Sequence, residues 1–198
     1  MANWFQWKGE RSTLIKYGLY VVSHPSIIIP DERLRHVEVP GRSGTLTQFE
    51  GDGVYNDYIA SVECLIRSPA TIPAVAAWLK GSGEVIFGNQ PDVFYKARVA
   101  NQIELAQVMR GRPHRTCIVN FRCEPYRYLP SGNTQQTVSA NNSAITNPGT
   151  ASSEPLIRVN GTGDVTLMIR GQIIALFAVN SYITLDTALK EPHISTGH

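Results

Sequence analysis

The sequence predicts a mainly β protein carrying one α-helix, and three observations support this. Two long stretches alternate apolar and polar side chains with the period of a strand. In residues 54–67, Tyr58, Ala60, Val62, Cys64 and Ile66 share one face, with Asp57, Ser61, Glu63 and Arg67 mostly on the other. In residues 116–123, Cys117, Val119, Phe121 and Cys123 face inward, with Thr116, Asn120 and Arg122 outward. Glycines and prolines punctuate the chain at short intervals, as turns between strands require. Apolar residues recur at helical spacing in one segment, residues 71–80.

Taken in order, Trp4-Phe5-Gln6-Trp7-Lys8-Gly9 sets two tryptophans around a short strand, as core or interface anchors. Tyr20-Val21-Val22 has strand composition. Ser26-Ile27-Ile28-Ile29-Pro30 is an apolar run stopped by proline, and Asp31-Glu32-Arg33 is a charged turn. His36-Val37-Glu38-Val39-Pro40 then reads as extended, Val37 and Val39 sharing one face. Pro40 cannot donate to a ladder, and Gly41 and Gly44 permit a tight loop with positive φ. Arg42 and Ser43 therefore stand on a glycine-hinged tip, which reads equally as a solvated turn and as a contact surface. Residues 46–49 leave the loop, and Glu50-Gly51-Asp52-Gly53 turns into the long strand of residues 54–67.

In the helical segment Thr71 is placed to cap, and Pro73 falls in the first turn, where its missing N–H has no partner anyway. Ile72, Val75, Ala76 and Leu79 form the apolar stripe, Gly81 ends it, and Trp78 lies off the stripe, expected on the sheet edge. Residues 84–87 form a short strand. Residues 93–100 form another, with Val93, Tyr95, Ala97 and Val99 opposite Phe94, Lys96 and Arg98. Residues 103–109 and 116–123 are expected to pair around Arg110-Gly111-Arg112-Pro113. Residues 130–153 are rich in Ser, Thr, Asn, Gln and Gly and read as a linker. Strand patterns resume with Leu156-Ile157-Arg158-Val159, a Gly161/Gly163 turn, residues 165–169, an Arg170-Gly171 turn, residues 173–177 and residues 182–185. About four strands make a small sheet with an incomplete core, which either leans on the first domain or a neighbouring subunit or is a reduced sandwich.

Composition narrows the function. The 198 residues suffice for one large or two small domains. Only 17% are charged and the net charge is +2, which suits protein contacts better than a phosphate-tracking stripe. The three cysteines cannot all pair within one chain, and Cys117 and Cys123, on one face of one strand, stand roughly 20 Å apart. Three reduced, buried thiols in a protein made in the cytosol are expected. The N-terminus does not read as a signal peptide, and no apolar run approaches the ~20 residues that span a bilayer, so a soluble protein is expected.

No enzyme motif is present. His24, His36, His114, His193 and His198 are dispersed, with no H-E-x-x-H, G-x-S-x-G or P-loop. His36 and Ser43 lack an orienting carboxylate for a base–nucleophile pair. Glu50, Asp52 and Asp57 are spaced unlike an EF-hand. No catalytic residue, metal or cofactor is expected.

Seven segments in this order, namely Trp4-Phe5-Gln6-Trp7-Lys8-Gly9, Tyr17-Gly18-Leu19-Tyr20-Val21, Val39-Pro40-Gly41-Arg42-Ser43-Gly44, Tyr55-Asn56-Asp57-Tyr58, Trp78-Leu79-Lys80-Gly81-Ser82-Gly83, Pro91-Asp92-Val93-Phe94-Tyr95-Lys96-Ala97 and Phe121-Arg122-Cys123-Glu124-Pro125-Tyr126-Arg127-Tyr128, resemble the distal tail protein (Dit) family of long-tailed bacteriophages. The likeness covers residues 4–128. It implies a β-sandwich or barrel-like ring domain with one helix (residues 1–129), a linker (130–153) and a short, reduced galectin-like β domain (154–198), whose opening strands Glu154-Pro155-Leu156-Ile157 and Tyr182-Ile183-Thr184-Leu185-Asp186 resemble. It further implies a virion protein made in the host bacterial cytoplasm. Copies would close into a hexameric ring at the tail tip, with a tail tube protein on one side, a hub or tip protein on the other and receptor-binding proteins nearby, around a channel that passes DNA without reading it. Trp4, Trp7, Pro40, Gly41, Arg42 and Gly44 are then expected at subunit contacts, and Lys96 and Arg98 along the channel. The other class that the residues leave open is a monomeric carbohydrate-binding adhesin, with Tyr126, Tyr128 and Tyr182 available to stack on sugar rings.

Overall fold

The computed structural model describes residues 3–49, 51, 53–140, 143–169, 171–187 and 191–193. It divides into two compact units, Met1–Val138 and Ser139–His198. The expected turns at Glu50–Asp52 and Arg170 lie partly outside the described residues, as does His198.

The first unit runs β1 (Phe5–Trp7), β2 (Glu10–Arg11), β3 (Leu19–Ser23), β4 (Leu34–Glu38), β5 (Thr45–Phe49), β6 (Tyr58–Ile66), α1 (Ile72–Trp78), β7 (Ser82–Phe87), β8 (Tyr95–Val99), β9 (Ala106–Gln107) and β10 (Arg115–Cys123). Eight of the strands make one antiparallel sheet in the order β2-β1-β7-β8-β10-β6-β3, with β9 on β10. β6 and β10 form its centre, paired over nine residues with Cys117 opposite Cys64 and Val119 opposite Val62. Strict alternation turns Ala60, Val62, Cys64, Ile66, Cys117, Val119, Phe121 and Cys123 into one buried face, as expected from the sequence.

That face carries an aromatic core. Phe5, Trp7, Phe87 and Phe121 are almost wholly buried, and Phe121 meets the other three at ring distances of 5.2 to 5.9 Å. Trp78 belongs here rather than on the sheet edge. It stacks on Tyr17 (4.1 Å, 14°) on the one hand and Phe5 (5.5 Å, 15°) on the other. Two indole N–H groups also clasp across the core: Trp7 Nε1 donates to the Trp78 carbonyl (3.1 Å), and Trp78 Nε1 donates to the Trp7 carbonyl (3.2 Å). A buried indole needs an acceptor, and each tryptophan supplies the other's. The expected stripe is correspondingly altered: Val75, Trp78 and Leu79 are buried, and Ala76 is exposed.

The helix is shorter than expected. A 3-10 turn, Pro69–Thr71, precedes it, and Ser68 rather than Thr71 caps, its Oγ accepting from Ala70 N at 3.3 Å. Thr71 already has helical φ and ψ, so its hydroxyl points back and donates to the Ser68 carbonyl at 3.0 Å. Gly81 (φ +69°) takes the chain out of the helix. The hairpin expected between residues 103–109 and 116–123 is reduced to Ala106–Gln107 against Arg115 and Thr116. Asn101 explains the loss: its side chain accepts from Asn120 N (2.8 Å) and donates to the Ile118 carbonyl (2.9 Å), occupying β10 groups that a partner strand would use.

The second unit is a three-stranded antiparallel sheet, β11 (Leu156–Ile169), β12 (Gln172–Asp186) and β13 (Glu191–His193), among the described residues. Gly161 and Gly163 do not turn the chain as expected. β11 continues through them for 14 residues, and the irregularity is a bulge between Gly163 and Val165. Phe177 and Ala178 there oppose Asp164, whose carboxylate accepts from Ala178 N at 2.9 Å, with Ala178 at φ +51°. Two long strands thus replace the expected four short ones. Leu176, Val179 and Leu185 form a small core flanked by half-buried Ile157, Val159, Val165, Leu167, Ile174 and Ile183. β13 covers only Thr184–Asp186, so the far half of the hairpin is a two-stranded ribbon exposing Phe177 (75%), Met168 (71%) and Ile173 (67%) on one face.

Candidate functional site

Two surfaces of the first unit hold the residues expected to function. One is an arm, residues 24–57, inserted between the neighbouring strands β3 and β6. Its base is stapled to the unit. Arg33 N donates to the Val54 carbonyl (2.9 Å), Asn56 N to the Asp31 carbonyl (3.0 Å), and Tyr126 Oη to the Gly53 carbonyl (2.5 Å). Beyond the base, β4 and β5 pair with each other and form a sheet of their own, from Leu34 opposite Phe49 to Glu38 opposite Thr45. Neither strand has a buried residue among those whose burial is described. The Val39–Gly44 loop closes the hairpin with Arg42 N donating to the Val39 carbonyl (3.1 Å). Gly41 (φ +82°) and Gly44 (φ +81°) occupy the left-handed region the sequence requires of them. Pro40, Gly41, Arg42 and Gly44 are all exposed at this tip. His36 does not meet Ser43; its Nδ1 lies 3.4 Å from Thr47 Oγ1 across the hairpin.

The two tryptophans expected at a subunit contact part company. Trp7 is fully buried in its own core, whereas Trp4 is half-buried on the opposite side of β1, under the Arg11 guanidinium at 4.3 Å.

The second surface is the exposed face of the large sheet, opposite the aromatic core. A shallow groove there is lined by Asp57, Ser82, Gly83, Glu84, Lys96, Ala97, Arg98, Arg122 and Glu124. Its charges fall in cross-strand rows. In one row Glu84 lies opposite Lys96, and Glu124 N donates to the Lys96 carbonyl from the other side. In the next row Arg98 lies opposite Arg122, flanked by Ser82 and Ile59. The sequence singled out Lys96 and Arg98 here. Arg122 was legible only as outward-facing, since its place opposite Arg98 depends on the β8–β10 register.

The tyrosines available for sugar stacking are engaged within the chain. Tyr128 stacks on Phe94 (5.3 Å) with Lys96 Nζ 4.6 Å from its ring, Tyr182 lies under the Arg158 guanidinium (4.0 Å), and Tyr126 meets Tyr55 edge-on (6.0 Å).

All three cysteines are free and buried. Burial, with the Asp57 carboxylate adding to it, pushes the Cys123 thiol up from 9.0 to about 12. A group raised on folding adds stability that is complete below pH 9 and is lost as pH climbs towards 12. Cys64 is raised by its hydrogen bond to Cys117 across the β6–β10 pair and by burial. These thiols are expected to resist a thiol-reactive disulfide reagent at pH 8 in the folded protein and to react fully in denaturant. Fast reaction without denaturant would contradict the burial. Among the described residues no group of three or more His, Cys, Asp or Glu is placed to hold a metal ion; Glu50 and Asp52, weighed as calcium ligands, lie outside them. No described helix is long and apolar enough to cross a membrane.

No family model and no curated protein matches the chain by sequence. Among solved structures it is similar to the Dit (gp 19.1) protein of phage SPP1, a paradigm of the hub adsorption apparatus in phages infecting Gram-positive hosts. The TM-score is 0.72 at 13% identity, over 97% of this chain and 82% of that one. Likeness at that identity establishes the fold: this chain has the fold of a distal tail protein.

Proposed function

We propose that the protein is a structural component of a phage tail tip, a distal tail protein whose copies close into a hexameric ring around a channel for DNA. The likeness to the SPP1 hub protein across nearly the whole chain carries this reading. The arm supports it. A two-stranded hairpin alone in water is marginal at best, and three or more strands or a packed surface are needed to hold one. This hairpin has neither in its own sheet. A neighbouring copy supplies that surface if each subunit's arm lies on the next, a heterologous contact that closes into a ring when the rotation divides a full turn. Pro40, Gly41, Arg42 and Gly44, with Trp4, are the residues proposed at this contact. The exposed sheet face bearing Lys96 and Arg98 is proposed to line the channel. In this reading a tail tube protein sits on one side of the ring and a hub or tip protein on the other. Receptor-binding proteins are further partners, and the protein resides in the virion after synthesis in the host cytoplasm. The role calls for shape and placement, and no residue is assigned a catalytic part.

Light scattering on a sizing column tests the reading. The expected mass is about six times 21.8 kDa. A monomer at every concentration, even with the tail tube protein added, would contradict it.

A further inference from the structure

We propose that Arg98 and Arg122 together form a phosphate contact for double-stranded DNA in the channel, a proposal that rests on the ring reading above. Directly opposite residues of an antiparallel pair hold their Cβ atoms about 5 Å apart, and like charges so placed destabilise the sheet. Arg98 and Arg122 are such a pair, both exposed. Among the described residues neither has a carboxylate within ion-pair reach, and their row-mates Ser82 and Ile59 carry no charge. In the neighbouring row Lys96 has Glu84 opposite, and its ammonium lies 4.6 Å from the ring of Tyr128, whose hydroxyl donates to Glu124 at 3.0 Å. The arginine row differs in setting two positive charges directly opposite each other, with no ion pair to either among the described residues.

Guanidinium forks match phosphate oxygens in pairs, and two of them side by side present a surface for one anion. Phosphate contacts carry no sequence information, as a channel passing a whole genome requires. The carboxylates of Glu84, Glu124 and Asp57 in the same groove limit how tightly a polyanion is held. The contact therefore guides the duplex and releases it, and it weakens steeply with salt.

The test uses the full-length protein, a fluorescent blunt-ended DNA duplex of arbitrary sequence, and anisotropy read between about 50 and about 200 mM salt. Arg98→Gln/Arg122→Gln is expected to weaken binding at least about tenfold at the lower salt and to flatten the salt slope by about one to two. A matched control, Arg110→Gln/Arg112→Gln in the exposed loop before β10, should change little. Equal losses from the control, unchanged binding in the Arg98/Arg122 variant, or no binding by the wild type would each overturn the proposal. Electron micrographs of the same samples separate it from its parent: rings with unchanged DNA binding in the variant sink this contact alone, and the absence of rings in the wild type sinks the ring reading. A second variant guards against misfolding. Arg98→Glu, which places opposite charges across the strands, should raise the Tm while lowering DNA affinity; a lower Tm would show that the two arginines do not repel each other unrelieved.

Discussion

Trp78→Ala is expected to destabilise the first unit by about 3–5 kcal/mol, the range for removing a buried large aromatic side chain. The size follows from what the ring does. It lies between Tyr17 and Phe5 in two stacked contacts, and its N–H satisfies the Trp7 carbonyl inside the core. Alanine leaves a cavity between two rings and an unpaired carbonyl together. Trp78→Phe separates the two effects: it keeps an aromatic disc and loses the N–H, so it should cost about 1–3 kcal/mol, the range for leaving one buried polar group unsatisfied. Urea unfolding followed by tryptophan fluorescence measures both, and a loss below about 1 kcal/mol for Trp78→Ala would mean the core does not depend on the clasp.

The second large effect is on assembly and leaves the fold untouched. Replacing residues 34–49 by a short Gly-Ser turn removes a hairpin whose strands, among the described residues, pair only with each other. The first unit should keep its stability within about 0.5 kcal/mol, as surface changes do, while the ring is lost entirely. Arg42→Glu, at a tip where the side chain is exposed and only the backbone N–H bonds to Val39, should do the same with an unchanged circular dichroism spectrum. Intact rings in Arg42→Glu would remove Arg42 from the contact. Intact rings without the hairpin would remove the arm altogether.

What the sequence disclosed, and what it withheld, follows from the range of each signal. β6 and β10 were legible because one face of each is dry and the other wet, so alternation marks them residue by residue. The Val39–Gly44 tip was legible because only glycine adopts its two positive φ angles without strain. That the hairpin below it stands as a separate sheet was not, because strand composition reads the same with or without a partner. Trp78 misled because a helical stripe presumes a helix long enough to have one, and α1 spans seven residues, with its last side chain drawn inward by an acceptor on β1. Gly161 and Gly163 misled because glycine marks a bulge as readily as a turn. Asn101 displaced a strand through side-chain hydrogen bonds that no periodicity reports. The candidate sites divide in the same way. Lys96 and Arg98 were visible as an outward face, but Arg122 joins them only through pairing between strands distant in the chain.

The central claim is that copies of this chain close on one another through the arm. Cryo-electron microscopy of the purified full-length protein, alone and with its tail tube protein, tests it most directly. The expected particle is a closed six-fold ring in which each hairpin formed by Leu34–Glu38 and Thr45–Phe49 lies on the next subunit and the face bearing Lys96, Arg98 and Arg122 looks into the bore. Particles without cyclic symmetry, or a ring whose hairpins contact no neighbour, would contradict it.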